Sequence, residues 1–278
     1  MKWNFTLIFL LINLLLNAQN SNKMASTDLN YQVQGKGTPI ILIHGGGTDS
    51  RVWKGIGQEL SKQHKVITYD LRGHGESPIP TDTTNHVEDL FQLFSALELN
   101  QATLIGHSLG GQIATDFALL YPKKVDRLVL LAPGLSGYQY DQAYQAMGQK
   151  MWQAVPNVDA MLTIMLNTPE AYAMQQSMQS SSADIIEQIH RDNVIKSLQW
   201  KNFEQEWPFE NTADQLANLK NETLFIVGTE DKQDIFRIKR HFGKMPNISF
   251  KELEGADHGL LITHNDELKN LIRNFMAN

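Results

Sequence analysis

The chain has 278 residues, 42% of them hydrophobic, with 24 Lys and Arg interspersed among 30 Asp and Glu for a formal net charge of −6. That composition supplies a single sizeable core and offers no basic block of the kind that follows a nucleic-acid backbone, so nucleic acid is not an expected partner. The absence of cysteine excludes a disulfide scaffold, thiolate metal sites and acylation on cysteine.

At the N-terminus, Lys2 precedes an apolar run over residues 5–16 that ends in Asn17-Ala18-Gln19. The run is shorter than the ~20 residues that cross a bilayer, follows a positive charge and closes near a small residue. Residues 1–18 therefore read as a signal peptide, with an uncleaved anchor or a buried N-terminal helix as the alternatives. The expected product is exported, periplasmic or secreted, without stable membrane insertion once the segment is removed.

Beyond it, residues 31–34 read as a strand, Gly35-Lys36-Gly37 as a turn, and residues 39–43 as an apolar strand that runs into His44-Gly45-Gly46-Gly47. Residues 65–69 form the next strand candidate, followed by the loop Asp70-Leu71-Arg72-Gly73-His74-Gly75-Glu76-Ser77-Pro78. Val87, Leu90, Phe91, Phe94 and Leu97 then fall on one helical face. Residues 125–131, 223–227 and 248–253 are further strand candidates, and helical patterns occupy 235–242 and 268–276. Strands alternating with helices predict an α/β fold whose mostly parallel sheet is covered on both faces.

Residues 134–219 break that alternation. They contain no convincing strand, and the pairs Met147/Met151, Met161/Met165 and Met174/Met178 are each spaced by one helical turn. This stretch reads as an inserted helical lid between core segments 19–133 and 220–278. Methionine fills irregular gaps, so most of these side chains are expected to attach the insert to the core, and a few, Met151 with Trp152 foremost, to line a substrate pocket.

The chemistry centres on Leu104-Ile105-Gly106-His107-Ser108-Leu109-Gly110-Gly111. A buried strand over 102–105 and a helix over 112–121 flank a Gly-x-Ser-x-Gly turn, whose glycines leave room where strand and helix crowd together. Ser108 is accordingly the candidate nucleophile, against an unreactive serine in a glycine-rich turn.

Together with His44-Gly45-Gly46 and Trp53, the Asp70-to-Ser77 loop, Pro122, Gly228-x-x-Asp231 and Gly255-Ala256-Asp257-His258, this stretch resembles the α/β-hydrolase fold superfamily. The resemblance is to its lid-bearing group of small serine esterases, lactonases, carbon–carbon bond hydrolases and cofactor-free haloperoxidase-like enzymes. Gly46 departs from that group, many of whose members carry a larger residue there.

The resemblance implies the order serine, acid, histidine. It makes His258 the base, and Asp231 the acid with Glu230 and Asp234 as rivals. It implies an oxyanion hole from the Leu109 N–H and that of Gly46, or else Gly47. His44 and His107 are expected to shape their turns and His74 its loop, while His64, His86, His190, His241 and His264 are expected to be solvated. Asp70 and Arg72 are expected to be bonded within their loop, Asp116 to lie on a helix surface and Asp126 at a strand start. No metal spacing and no phosphate or dinucleotide fingerprint is present, so no cofactor is implied.

The expected activity is hydrolysis of a carboxylic ester or related acyl bond of a small molecule, through an acyl-enzyme on Ser108. Carbon–carbon hydrolysis or lactone opening on the same residues is the first alternative, and a slow-turnover ligand-binding receptor the second. Oligomeric state is left open.

Overall fold

The computed structural model describes residues 27–167 and 174–277, so the expected signal peptide at 1–18 lies outside the described residues. Seven strands form one sheet: β1 (Tyr31–Gln34), β2 (Pro39–Ile43), β3 (Lys65–Tyr69), β4 (Ala102–His107), β5 (Val125–Leu131), β6 (Glu222–Gly228) and β7 (Ile248–Leu253). Their spatial order is β1-β3-β2-β4-β5-β6-β7; β1 runs antiparallel to β3 and every other neighbouring pair is parallel. Every residue of β4 is buried because helices cover both sheet faces, which is why this strand shows no alternation in sequence. At one edge β7 does alternate, and its outer residues include Lys251 and Glu252, charges that discourage a further strand from pairing there.

The helices are α1 (Lys54–Leu60), α2 (His86–Ala96), α3 (Leu109–Leu120), α4 (Gln142–Ala154), α5 (Val158–Asn167), α6 (Gln175–Met178), α7 (Ala183–Ser197), α8 (Gln233–Phe242), α9 (Leu260–Thr263) and α10 (Asn265–Ala277). None among the described residues is long and apolar enough to cross a membrane. α2 shows how local sequence sets a boundary: the Asn85 side chain accepts from the Glu88 N–H at 2.9 Å, and Glu88 and Asp89 meet the positive end of the helix dipole. Its Val87, Leu90, Leu93 and Phe94 are buried, and Phe94 stacks on Phe117 of α3 at 4.9 Å. Helix α1 is absent from the sequence reading, because its seven residues include two glycines and leave too short a pattern to register.

Residues 132–221, between β5 and β6, contain α4 to α7 and no strand among the described residues. Met161, Leu162, Met165, Leu166, Met174, Ile186 and Val194 form a small core of their own, with Met151 and Met178 packed against it. The methionine pairs thus largely hold the insert together.

One expectation is corrected at the neck of the insert. Asp116 does not lie on a helix surface; it is fully buried in α3. Its carboxylate accepts from Ser136 Oγ at 2.5 Å and Thr212 Oγ1 at 2.7 Å, and the Thr212 N–H donates to the Ser136 carbonyl. Both ends of the insert are therefore pinned to one buried acid, whose pKa burial raises to about 6.

Candidate active site

Ser108 sits between the end of β4 and the start of α3, with φ +51° and ψ −115°. A non-glycine residue with positive φ is strained, and here the surroundings enforce it. A Cβ on Gly106 would fall on the Gly110 carbonyl, and one on Gly110 would fall on the Ile43 carbonyl of β2. The serine N–H donates to the Leu131 carbonyl at 3.0 Å, while its own carbonyl accepts from the N–H groups of Gly111, Gln112 and Gly134. The turn is held on all sides, and Ser108 remains half-buried at the rim of a cavity.

His258 borders the same cavity, together with Gly46, Thr48, Val52 and His107 from the core and Met174, Ile186 and His190 from the insert. Its Nδ1 lies 3.1 and 3.0 Å from the two carboxylate oxygens of Asp231. The carboxylate accepts, so Nδ1 carries the proton and Nε2 is left as the basic nitrogen. Asp231 also accepts from the Lys232 N–H at 2.8 Å, and its side chain is fully buried. Its rivals are placed otherwise: Glu230 is exposed, and Asp234 is engaged by Tyr138 Oη, the Asp141 N–H and Arg237.

The loop that carries His258 is held from both sides. Its carbonyl accepts from His107 Nε2 at 3.0 Å, and burial keeps the His107 imidazole neutral, its pKa far below the ordinary range. The preceding Asp257 accepts from the Gly259 N–H at 2.9 Å, the Ser177 N–H at 2.8 Å and the Ser177 hydroxyl. Ser177 belongs to α6, so the insert reaches the base loop directly.

The glycine turn after β2 faces Ser108 from the other side. His44 donates from Nδ1 to the Gly45 carbonyl at 2.8 Å and accepts at Nε2 from the Leu71 N–H at 2.9 Å, which ties the turn to the loop after β3. The Gly47 N–H points to His74 Nε2 at 3.4 Å, whereas Gly46 borders the cavity. Of the two candidate donors from this turn, Gly46 is the one that lines the same cavity as Ser108. In the loop after β3, Asp70 accepts from Asn30 and from the N–H groups of Ser50 and Glu76, while Arg72 forks to Asp28 and Asp89. The two are thus not paired with each other.

Three sequence expectations are revised. Trp152 is 61% exposed, packed edge-to-face on Phe203 at 4.9 Å, and does not border the cavity; Met151 packs within the core of the insert. His86 is not solvated but buried at the N-terminus of α2, with neither ring nitrogen partnered among the described residues, and burial lowers its pKa to about 3. His190 is likewise buried and forms part of the cavity wall. A signal for it existed: Ile186, His190 and Val194 recur at i, i+4 and i+8, so this histidine shares a helical face with core residues. Among the described residues, no group of three or more His, Asp or Glu is placed to hold a metal ion.

Residues 38–265 match the family model of the alpha/beta hydrolase fold. The chain belongs to this family. Over 271 residues it is 26% identical to a pimeloyl-[acyl-carrier protein] methyl ester esterase of Aliivibrio fischeri, covering 90% of this chain and 98% of that protein. It is 28% identical over 264 residues to a 2-hydroxymuconate semialdehyde hydrolase of Pseudomonas putida, covering 89% and 90%. A shorter match, 38% over 107 residues, joins 37% of this α/β-hydrolase to an uncharacterized protein of Mycobacterium tuberculosis, of which it spans only 31%.

Proposed function

We propose that this α/β-hydrolase is a serine hydrolase that cleaves a carboxylic ester or related acyl bond of a small molecule, through an acyl-enzyme on Ser108. The observation that carries this reading is the convergence at one cavity of a strained-turn serine and a histidine whose Nδ1 is fixed on a buried carboxylate. A serine hydroxyl becomes a competent nucleophile only as a base removes its proton, and Asp231 holds His258 in the tautomer that can do so.

In the forward step, Ser108 Oγ attacks the scissile carbonyl as its proton passes to His258 Nε2. The Asp231 carboxylate stabilises the imidazolium that results. The tetrahedral oxyanion is received by the N–H groups of Leu109, at the N-terminus of α3, and Gly46. Collapse expels the alcohol, which takes the proton from His258. Water then attacks the acyl carbon as its proton passes to His258, and the acyl–Oγ bond breaks as His258 returns that proton to Ser108 Oγ and the acid leaves.

A fluorophosphonate tests this reading without knowledge of the substrate, since it labels an activated serine. The expected result is labelling of the wild-type protein at Ser108 and none of Ser108→Ala or His258→Ala. An unlabelled wild-type protein would overturn it. A second reading, carbon–carbon bond hydrolysis on the same three residues, is favoured by the full-length likeness to the Pseudomonas putida hydrolase. Turnover of a vinylogous diketone with no turnover of any ester would select it.

A further inference from the structure

The insert contributes one polar side chain to the cavity wall, and the bond-making steps do not use it. His190 stands on α7, 93% buried by its 7% exposure, and borders the cavity together with Ser108 and His258. Its Nδ1 lies 2.8 Å from the Ile186 carbonyl one turn back on the same helix. A carbonyl only accepts, so Nδ1 carries the ring proton and Nε2 keeps its lone pair. Because Nδ1 turns back to its own helix, Nε2 is directed away from it, and the one hydrogen bond of this ring among the described residues is that of Nδ1. An acceptor at a cavity wall is available to a water molecule or to a donor group of a ligand.

The ring stays neutral at ordinary pH. Burial lowers its pKa, with the nearby His258 adding to the effect against the Ile186 carbonyl and Asp49. Neutral imidazole at this position accepts a hydrogen bond and does not attract an anion. Among the described residues no Lys or Arg borders the cavity, so a carboxylate on the acyl chain would find no counter-charge from them. The remaining wall is largely apolar, from Val52, Met174, Ile186, Leu261 and Ile262, and its Thr48 hydroxyl is spent on the Gly45 carbonyl. The cavity measures about 40 Å³, room for a few water molecules at ~10–15 Å³ each, and hence for a short chain.

From this acceptor on the insert, the largely apolar wall and the small volume, we infer that His190 Nε2 accepts a hydrogen bond from the substrate, and that the substrates are short, uncharged acyl esters bearing a hydroxyl on the acyl chain. This rests on the reading of Ser108 as the nucleophile. The hydroxyl donates to Nε2 while the apolar carbons fill the remaining wall. His190 is on this view a specificity residue, separate from the bond-making groups.

The test compares kcat/KM for esters of one alcohol in two pairs, 2-hydroxypropionyl against propionyl and 3-hydroxybutyryl against butyryl. The wild-type protein is expected to favour the hydroxylated member of at least one pair about tenfold, the worth of one hydrogen bond at a site built for it. His190→Leu should bring that ratio close to one, and His190→Gln, whose amide oxygen still accepts, should restore part of it. A second readout does not depend on turnover or on a folded His190 variant. In Ser108→Ala protein, the ¹⁵N resonance of His190 Nε2 should shift on adding 2-hydroxypropionate or 3-hydroxybutyrate and stay in place on adding propionate or butyrate. Equal rates in the wild type, a preference that survives His190→Leu, or a resonance indifferent to the hydroxyl would each overturn the inference. Failure of Ser108 to react with a fluorophosphonate would instead remove the nucleophile, and the resonance experiment would still report on His190.

Discussion

Ser177 of the insert donates both its backbone N–H and its hydroxyl to Asp257, the residue immediately before His258. Both residues are buried, and Gly259 on the far side of His258 packs so closely that a Cβ there would fall on the Ser177 hydroxyl. The insert is thereby part of what positions the base.

Ser177→Ala should consequently slow the chemical step without weakening substrate binding. Asp257 would lose one of three donors, a hydrogen bond to a charged group worth about 1.5–3 kcal/mol, while the Gly259 and Ser177 N–H groups remain on its two oxygens, and the His258 loop would gain freedom. The expected outcome is a fall in kcat of about tenfold with KM nearly unchanged, read from steady-state kinetics on one small ester. An equal loss in kcat and in melting temperature after Ser177→Thr, which keeps the hydroxyl, would show that packing alone matters.

The three acidic candidates near β6 can be separated by kinetics. Ser108→Ala and His258→Ala should each lower kcat by on the order of a millionfold, and Asp231→Asn by about ten-thousandfold, since these residues act as a unit. Glu230→Gln, at an exposed position, should stay within about twofold of wild type. If Asp231→Asn kept full activity, the acid would have to be sought elsewhere.

Asp116 predicts a particular pH dependence of stability. Its folded pKa of about 6 lies above the ordinary value of 3.8, so between these values the folded state binds more protons than the unfolded one. Stability from this group is full below pH 3.8 and is lost as the pH rises toward 6, by about 3 kcal/mol in total. Asp116→Asn should remove that slope, so the difference in melting temperature between variant and wild type should change from pH 4 to pH 6.5 and be flat above. A constant difference across that range would count against a raised Asp116.

His86 contributes with the opposite sign. Burial lowers its folded pKa to about 3, so the unfolded state takes up a proton below pH 6.5 that the folded state refuses, and stability falls as the pH drops through that window. Both ring nitrogens lack partners among the described residues, and the ring stands 6.2 Å from Trp207. His86→Phe should therefore stabilise the protein by about 1–2 kcal/mol at pH 7 and by more at pH 5. A lower melting temperature at both pH values would mean that the imidazole is bonded in solution.

The walls of the cavity should respond unequally to truncation. Ile186→Ala enlarges the cavity and is expected to raise activity on longer acyl chains relative to acetyl by about five- to tenfold. Trp152→Ala, 61% exposed and away from the cavity, should leave that preference as it is. A chain-length series of esters, with melting curves for both variants, measures the contrast.

Much of this molecule is decided by local pattern. Apolar runs such as residues 39–43 and 125–131 could only be buried strands once flanked by turn residues, and the glycines around Ser108 follow from steric crowding that any strand–turn–helix of that kind must meet. The mostly parallel sheet flanked by helices, with its strands in this succession along the chain, was legible for that reason. What tertiary structure decided was which side chains meet across the chain. His258 and Asp231 are 27 positions apart, and among Glu230, Asp231 and Asp234 only the direction of each side chain at the end of β6 selects the one that reaches the imidazole. The burial of Asp116, His86 and His190 was beyond local reading, because a polar residue on a helix is buried or solvated according to what another segment lays against it. The same reason misplaced Trp152: a large apolar side chain suggests a pocket wall, yet the cavity is bordered instead by Ile186 and His190 of α7, an element whose approach to Ser108 depends on the fold of the whole insert.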